Sequence, residues 1–175
     1  MSTTMIYGIK RWGVKSVPII AEYQNSHGSA PVVWDFMAQR YLGEEYHHRL
    51  KDMGELWNTS YREDIPMEYR RVMKMTCDRA ILLNENALEA VSHIRKFVDE
   101  FPHPSNKVNH WAQIAEDIEL FHSQNKYIAY GLRMTSMDEN DFHGEPFMKR
   151  GKEHYHKINW KELGYFDAYA SKITR

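Results

Sequence analysis

Apolar residues recur along much of this chain at intervals of three and four, the spacing that places them on one face of an α-helix. Val33, Phe36, Met37 and Tyr41 share one side of a helix expected over about Ala30 to Leu42, with Asp35 and Gln39 turned away. Ser29 stands at its N-cap position, Pro31 in its first turn and Gly43 just past its end. Tyr46, Leu50, Met53 and Trp57 mark a second helix over about Glu44 to Trp57. A third begins near Pro66 and carries Tyr69, Val72, Met73, Thr76, Cys77 and Ala80. The best-defined helix opens at Asn86-Ala-Leu-Glu89, presents Ala87, Val91, Ile94, Val98 and Phe101, and ends at Pro102 and Pro104. A fifth runs from about Ser105 to Ser123, with Trp111, Ala115, Ile118 and His122 in a stripe.

Elsewhere the period shortens. Met5–Ile9 and Val17–Tyr23 read as extended segments, as does 126–134. The first and last echo one another, Ile6-Tyr7-Gly8-Ile9-Lys10 against Ala129-Tyr130-Gly131-Leu132-Arg133, so the two can pair and close a small sheet. Met137 to Lys152 is polar and irregular, and Asn159-Trp-Lys-Glu162 opens a last, aromatic helix to about Ser171. The pattern predicts an α+β fold, predominantly helical. Five to six helices would pack with a two- or three-stranded antiparallel sheet built from the N-terminal segment and residues 126–134, in one domain over 1–175.

Composition narrows the function classes. Lys and Arg number 23 against 24 Asp and Glu, a formal net charge of −1, which removes the electrostatic basis for general nucleic-acid binding. A single cysteine, Cys77, excludes an intrachain disulfide and every cysteine-based zinc pattern, and a reducing, cytoplasmic location is the expectation. No apolar run reaches membrane-spanning length, and the first residues do not read as a signal peptide. Five Trp, eleven Tyr, seven Phe and ten Met are many for 175 residues. Such residues serve equally to fill a core or to build a protein interface.

Several stretches have the residue types of a chemical site. Asn25-Ser26-His27-Gly28-Ser29 leads into a helix N-terminus, where backbone N–H groups favour anions, so His27, Gly28 and Ser29 are a candidate anion site. The glycines and lysine of a P-loop are missing, and Ser29 capping its own helix accounts for the residues more simply. Glu-x-x-His, the di-metal motif of helix bundles, occurs at Glu45/His48, Glu119/His122 and Glu153/His156. Glu45 and His48 fall off the apolar stripe of their helix, so two facing pairs are not expected. His122 lies on a stripe, and Glu119 could orient it as a general base. Asp141, His143 and Glu145 alternate in the acidic loop, with His154 and His156 following, a candidate metal set. No Gly-x-Ser-x-Gly occurs. Arg70, Arg71 and Lys74 could touch phosphates, but Asp64, Glu68 and Asp78 are near enough in sequence to neutralise them.

Two functions remain. The first is a non-catalytic protein that binds, and by binding inhibits, another protein. It would act through an aromatic surface in the C-terminal third centred on Trp160, Tyr165, Phe166 and Tyr169, with no cofactor and a homo-oligomer as a further expectation. The second is a small metal- or histidine-dependent enzyme using the loop over 138–156. In compact size, ring and methionine density and lack of an enzyme signature the chain resembles accessory proteins of tailed bacteriophages. The resemblance is one of profile rather than motif, and it implies a phage-encoded inhibitor of a host protein.

Overall fold

The computed structural model describes residues 3–11, 17–43, 53–77, 80–101, 108–134 and 166–169. Five α-helices and one five-stranded sheet make up these residues, an α+β fold that is predominantly helical. The strands are β1 Thr3–Ile9, β2 Ile19–Gln24, β3 Ala80–Leu83, β4 Ala129–Arg133 and β5 Phe166–Asp167. The helices are α1 Ala30–Tyr41, α2 Met53–Asn58, α3 Met67–Met75, α4 Ala87–Glu100 and α5 Trp111–Ser123. No helix among the described residues is long and apolar enough to cross a membrane.

The strands lie in the order β2-β1-β4-β3-β5, antiparallel except for the β3–β5 pair. The echoed segments are neighbours: Tyr7 stands opposite Gly131, and Gly8 opposite Tyr130. Each bulky ring therefore faces a residue with no side chain, on opposite faces of the sheet. A Cβ at Gly8 would lie 2.4 Å from the Tyr127 ring, so only glycine lets that ring lie flat on the strand. Alternation along β1, β4 and β3 sends Ile6, Tyr130, Leu132, Ala80 and Leu82 towards the helices. Tyr7, Ile9, Ala129 and Ile81 face the other way and form a smaller buried cluster with Val17.

The sheet is larger than the two or three strands expected. Ala80 is not on the third helix. That helix stops at Met75, and Ala80–Leu83 is a strand with a buried residue on each face. Ala and Leu are good helix formers, but four consecutive apolar residues between a turn and Asn84 fit a fully buried strand better. The last aromatic helix is likewise corrected where it can be seen: Phe166–Asp167 pairs with β3, and residues 168 and 169 form a turn. The expected N-caps also differ. Neither Ser29 nor Asn86 makes a side-chain cap hydrogen bond, and α4 is entered through a 3-10 turn, Asn84–Asn86. Gly43 does end α1 as expected, at a φ of +68°.

Rings fill the main core. Phe36 of α1 meets Tyr69 of α3 at a centroid distance of 5.0 Å and both Phe97 and Phe101 at 5.2 Å, all steeply inclined. Phe97 in turn meets Trp111 of α5 edge-on at 6.1 Å. Four helices are thus joined through two rings, Phe36 and Phe97, with the edge-to-face geometry that aromatic quadrupoles favour. Phe36→Ala is expected to cost about 3–5 kcal/mol, read from the urea unfolding midpoint. A loss below about 1 kcal/mol would show that the neighbouring rings close the cavity unaided.

Candidate functional site

The turn before α1 is packed, not open. Ser26, Gly28, Ser29 and Ala30 are buried, and His27 is exposed. Thr4 donates to the Met134 carbonyl at 2.9 Å, so the Ser29 hydroxyl, 2.7 Å away, donates to Thr4 rather than capping its helix. The indole of Trp111, fully buried, donates to the Ser29 carbonyl at 2.8 Å. The Gly28 carbonyl accepts from the His110 backbone N–H at 2.8 Å, and a Cβ on Gly28 would strike His110 and Val108. The segment 26–29 therefore ties the start of α1 to the entry of α5. Of the three residues of the candidate anion site, Gly28 and Ser29 are buried in these contacts and His27 is exposed.

His122 and Glu119 do not act together. Both oxygens of Glu119 are held by Arg95, at 3.2 and 2.6 Å. His122 Nδ1 lies 3.1 Å from Asn84 Oδ1, which also accepts from the Tyr130 hydroxyl at 2.7 Å. With Asn84 accepting, His122 donates from Nδ1. Burial lifts the Tyr130 hydroxyl to about 12, so it remains a donor at neutral pH. The network ties α5 and β4 to the turn after β3 and contains no carboxylate. Among the described residues no group of three or more His, Cys, Asp and Glu could hold a metal ion. The loop residues Asp141, His143, Glu145, His154 and His156 lie outside the described residues, as do Glu45, His48, Trp160 and Tyr165. Nothing is placed for the Phe166 side chain.

Tyr169 is described, and it points inward. Its ring is 9% exposed and stacks parallel to His93, with centroids 5.8 Å apart. Its hydroxyl is 2.8 Å from His93 Nδ1, the Arg71 guanidinium lies 5.0 Å from its centroid, and its N–H donates to Asp167 at 2.8 Å. Arg71 also donates to the Ala168 carbonyl at 3.1 Å. Tyr169 thus fastens residues 166–169 to α3 and α4. Its two-sided contacts were legible as a ring-rich segment but not as a strand end.

These contacts frame a cationic cluster. Arg70, Arg71 and Lys74 fall within an arc of about 100° on α3, because residues one, three and four apart crowd one side of a helix. Lys74 is only 5% exposed, with its ammonium 5.1 Å from the Tyr61 ring centroid. Burial first, then Arg71 and Arg70, pull its pKa below 10.5, against the partial support of Asp167. Arg70 Nε is buried without a hydrogen-bond partner. The carboxylates expected to neutralise the three are engaged elsewhere: Asp64 by Arg62, Glu68 by Lys96. Asp78 lies outside the described residues. Asp167 acts on Arg71 and Lys74, and Asp64, although hydrogen-bonded to Arg62, also acts on Arg70; burial raises the pKa of Asp167. Two large apolar side chains, Tyr61 at 43% and Met67 at 45% exposure, lie at its margin. The sequence pointed to these three cations but paired them with the wrong acids, because Arg62 and Lys96 compete for Asp64 and Glu68. The Arg62-x-Asp64 spacing was the signal that could have shown this.

Comparison with family models, with curated proteins and with solved structures finds no match for the chain.

His93 supplies a pH-dependent term. Burial lowers its pKa from 6.5, outweighing the opposing carboxylates of Glu89 and Glu68, while Arg71 and Lys96 lower it further. The unfolded chain therefore takes up this proton first as pH falls. The contribution of neutral His93 is complete above pH 6.5 and is lost below it, down to the folded-state value. His93→Gln is expected to flatten the loss of stability below that pH. Equal slopes of unfolding free energy against pH in both proteins would refute the assignment.

Proposed function

We propose that the chain is a non-catalytic binding protein that docks an acidic segment of another protein on the surface formed by Tyr61, Met67 and the cationic side of α3. The observation that carries this reading is the pairing of two exposed large apolar groups with three cations whose sequence-near acids Asp64 and Glu68 are engaged elsewhere. Tyr, Met and Arg are the residue types enriched at protein interfaces. Charge complementarity steers the encounter, and the apolar margin supplies buried area. A reducing cytoplasmic setting fits the single Cys77. Inhibition of the bound protein follows wherever the docked segment is one that the partner needs free.

A photo-crosslinking side chain at position 61 tests the reading, with the same group at exposed Leu88 on α4 as the control. The expected result is a protein cross-linked from position 61 alone, through an acidic peptide identified by mass spectrometry. Arg70→Glu with Lys74→Glu should abolish it. Equal cross-linking at both positions, or a partner peptide without acidic residues, would refute the proposal.

A further inference from the structure

We infer that Arg70 and Lys74 form an oxyanion-binding site, which holds a carboxylate or a phosphate group carried by the docked ligand. The inference rests on the docking surface just described and names the group at its centre. A lysine that is 5% exposed has given up most of its hydration, and a charge removed from water is tolerated where other charges or dipoles replace the water. Here the Tyr61 face offers partial replacement, and among the described residues no carboxylate hydrogen-bonds to Lys74.

Arg71 is oriented by the Ala168 carbonyl and the Tyr169 ring, so its charge is held in place beside Lys74 rather than free to swing away. Arg70 presents a buried Nε–H with no acceptor. Arg70 and Lys74 stand one helical turn apart on the same side of α3, so one anion with two oxygens can accept from both. Asp167 does not fill this role, because its carboxylate already accepts from the Tyr169 N–H and is shared electrostatically between Arg71 and Lys74. An incoming oxyanion would restore charge balance and give the orphaned guanidinium N–H an acceptor. The lowered pKa of Lys74 agrees with this, since a bound anion would favour the ammonium and raise it again.

Calorimetric titration of the whole chain with inorganic phosphate, and separately with acetate at matched ionic strength, tests the site. Saturable binding is expected, weakened by about tenfold or more in Lys74→Met and in Arg70→Gln, the loss of one charge-assisted hydrogen bond. Binding of both anions assigns a carboxylate ligand, and binding of phosphate alone assigns a phosphorylated one. Folding of the variants is checked by melting: Lys74→Met removes a buried repulsion and is expected to melt on the order of 2–4 °C higher. No saturable binding of either anion, or undiminished binding in the folded variants, overturns the inference. The cross-link at position 61 separates the two claims. A partner captured without anion binding leaves the docking surface and removes the oxyanion site. Anion binding without a captured partner keeps the site and removes the protein ligand.

Discussion

The antiparallel pairing of β1 with β4 is the constraint on which the architecture depends. It joins Met5 to Arg133 and Ile9 to Ala129, segments far apart in the chain, and it sets which residues face the helices. A slip of one residue would send Ile6, Tyr130 and Leu132 to the wrong face. The reciprocal placement of Tyr7 against Gly131 and of Gly8 against Tyr130 opposes such a slip, because any other register would set ring against side chain. Once β4 is fixed, β3 pairs along its far edge and carries α3 and α4 with it. The turn at 26–29 then seals the opposite end, where Thr4, Ser29 and Trp111 exchange hydrogen bonds.

The cationic cluster follows from the way α3 is held. Its apolar side, with Tyr69, Val72, Met73 and Met75 all buried, packs among α1, α4 and the sheet. Lys74 projects from the opposite side of the helix, between Arg70 and Arg71 around its axis, and is only 5% exposed. Similar burial elsewhere in the chain is spent on hydrogen bonds, as at Thr4 and Trp111. On α3 it leaves positive charge facing aromatic carbon, the kind of local conflict that stable folds retain where a ligand completes the arrangement.

The helices were legible because their apolar periods are long. Phe36 and Met37, Val91 and Ile94, and Trp111 and Ile118 all lie where a period of 3.6 residues puts them. The pairing of β1 with β4 was also legible, from a five-residue echo. β3 was not, since its four apolar residues continue the composition of α3, and only the partner strand on each side makes it extended. The capping roles of Ser29 and Asn86 failed for a related reason. A hydroxyl or amide at a helix start is free to choose a tertiary partner, and Thr4 offered one to Ser29. For the site, residue type was informative and charge pairing was not. Proximity in sequence assigned Asp64 and Glu68 to Arg70, Arg71 and Lys74, whereas Arg62 and Lys96 reach them first.

The strand order has a consequence for synthesis. β1 and β2 leave the ribosome as a bare hairpin, and the strand that covers the inner edge of β1 is not made until residues 129–133 emerge. A two-stranded hairpin is marginal by itself, and an unsatisfied edge invites a second nascent chain to pair with it. The β1 edge is thus the part of this fold that stays longest without its partner during synthesis.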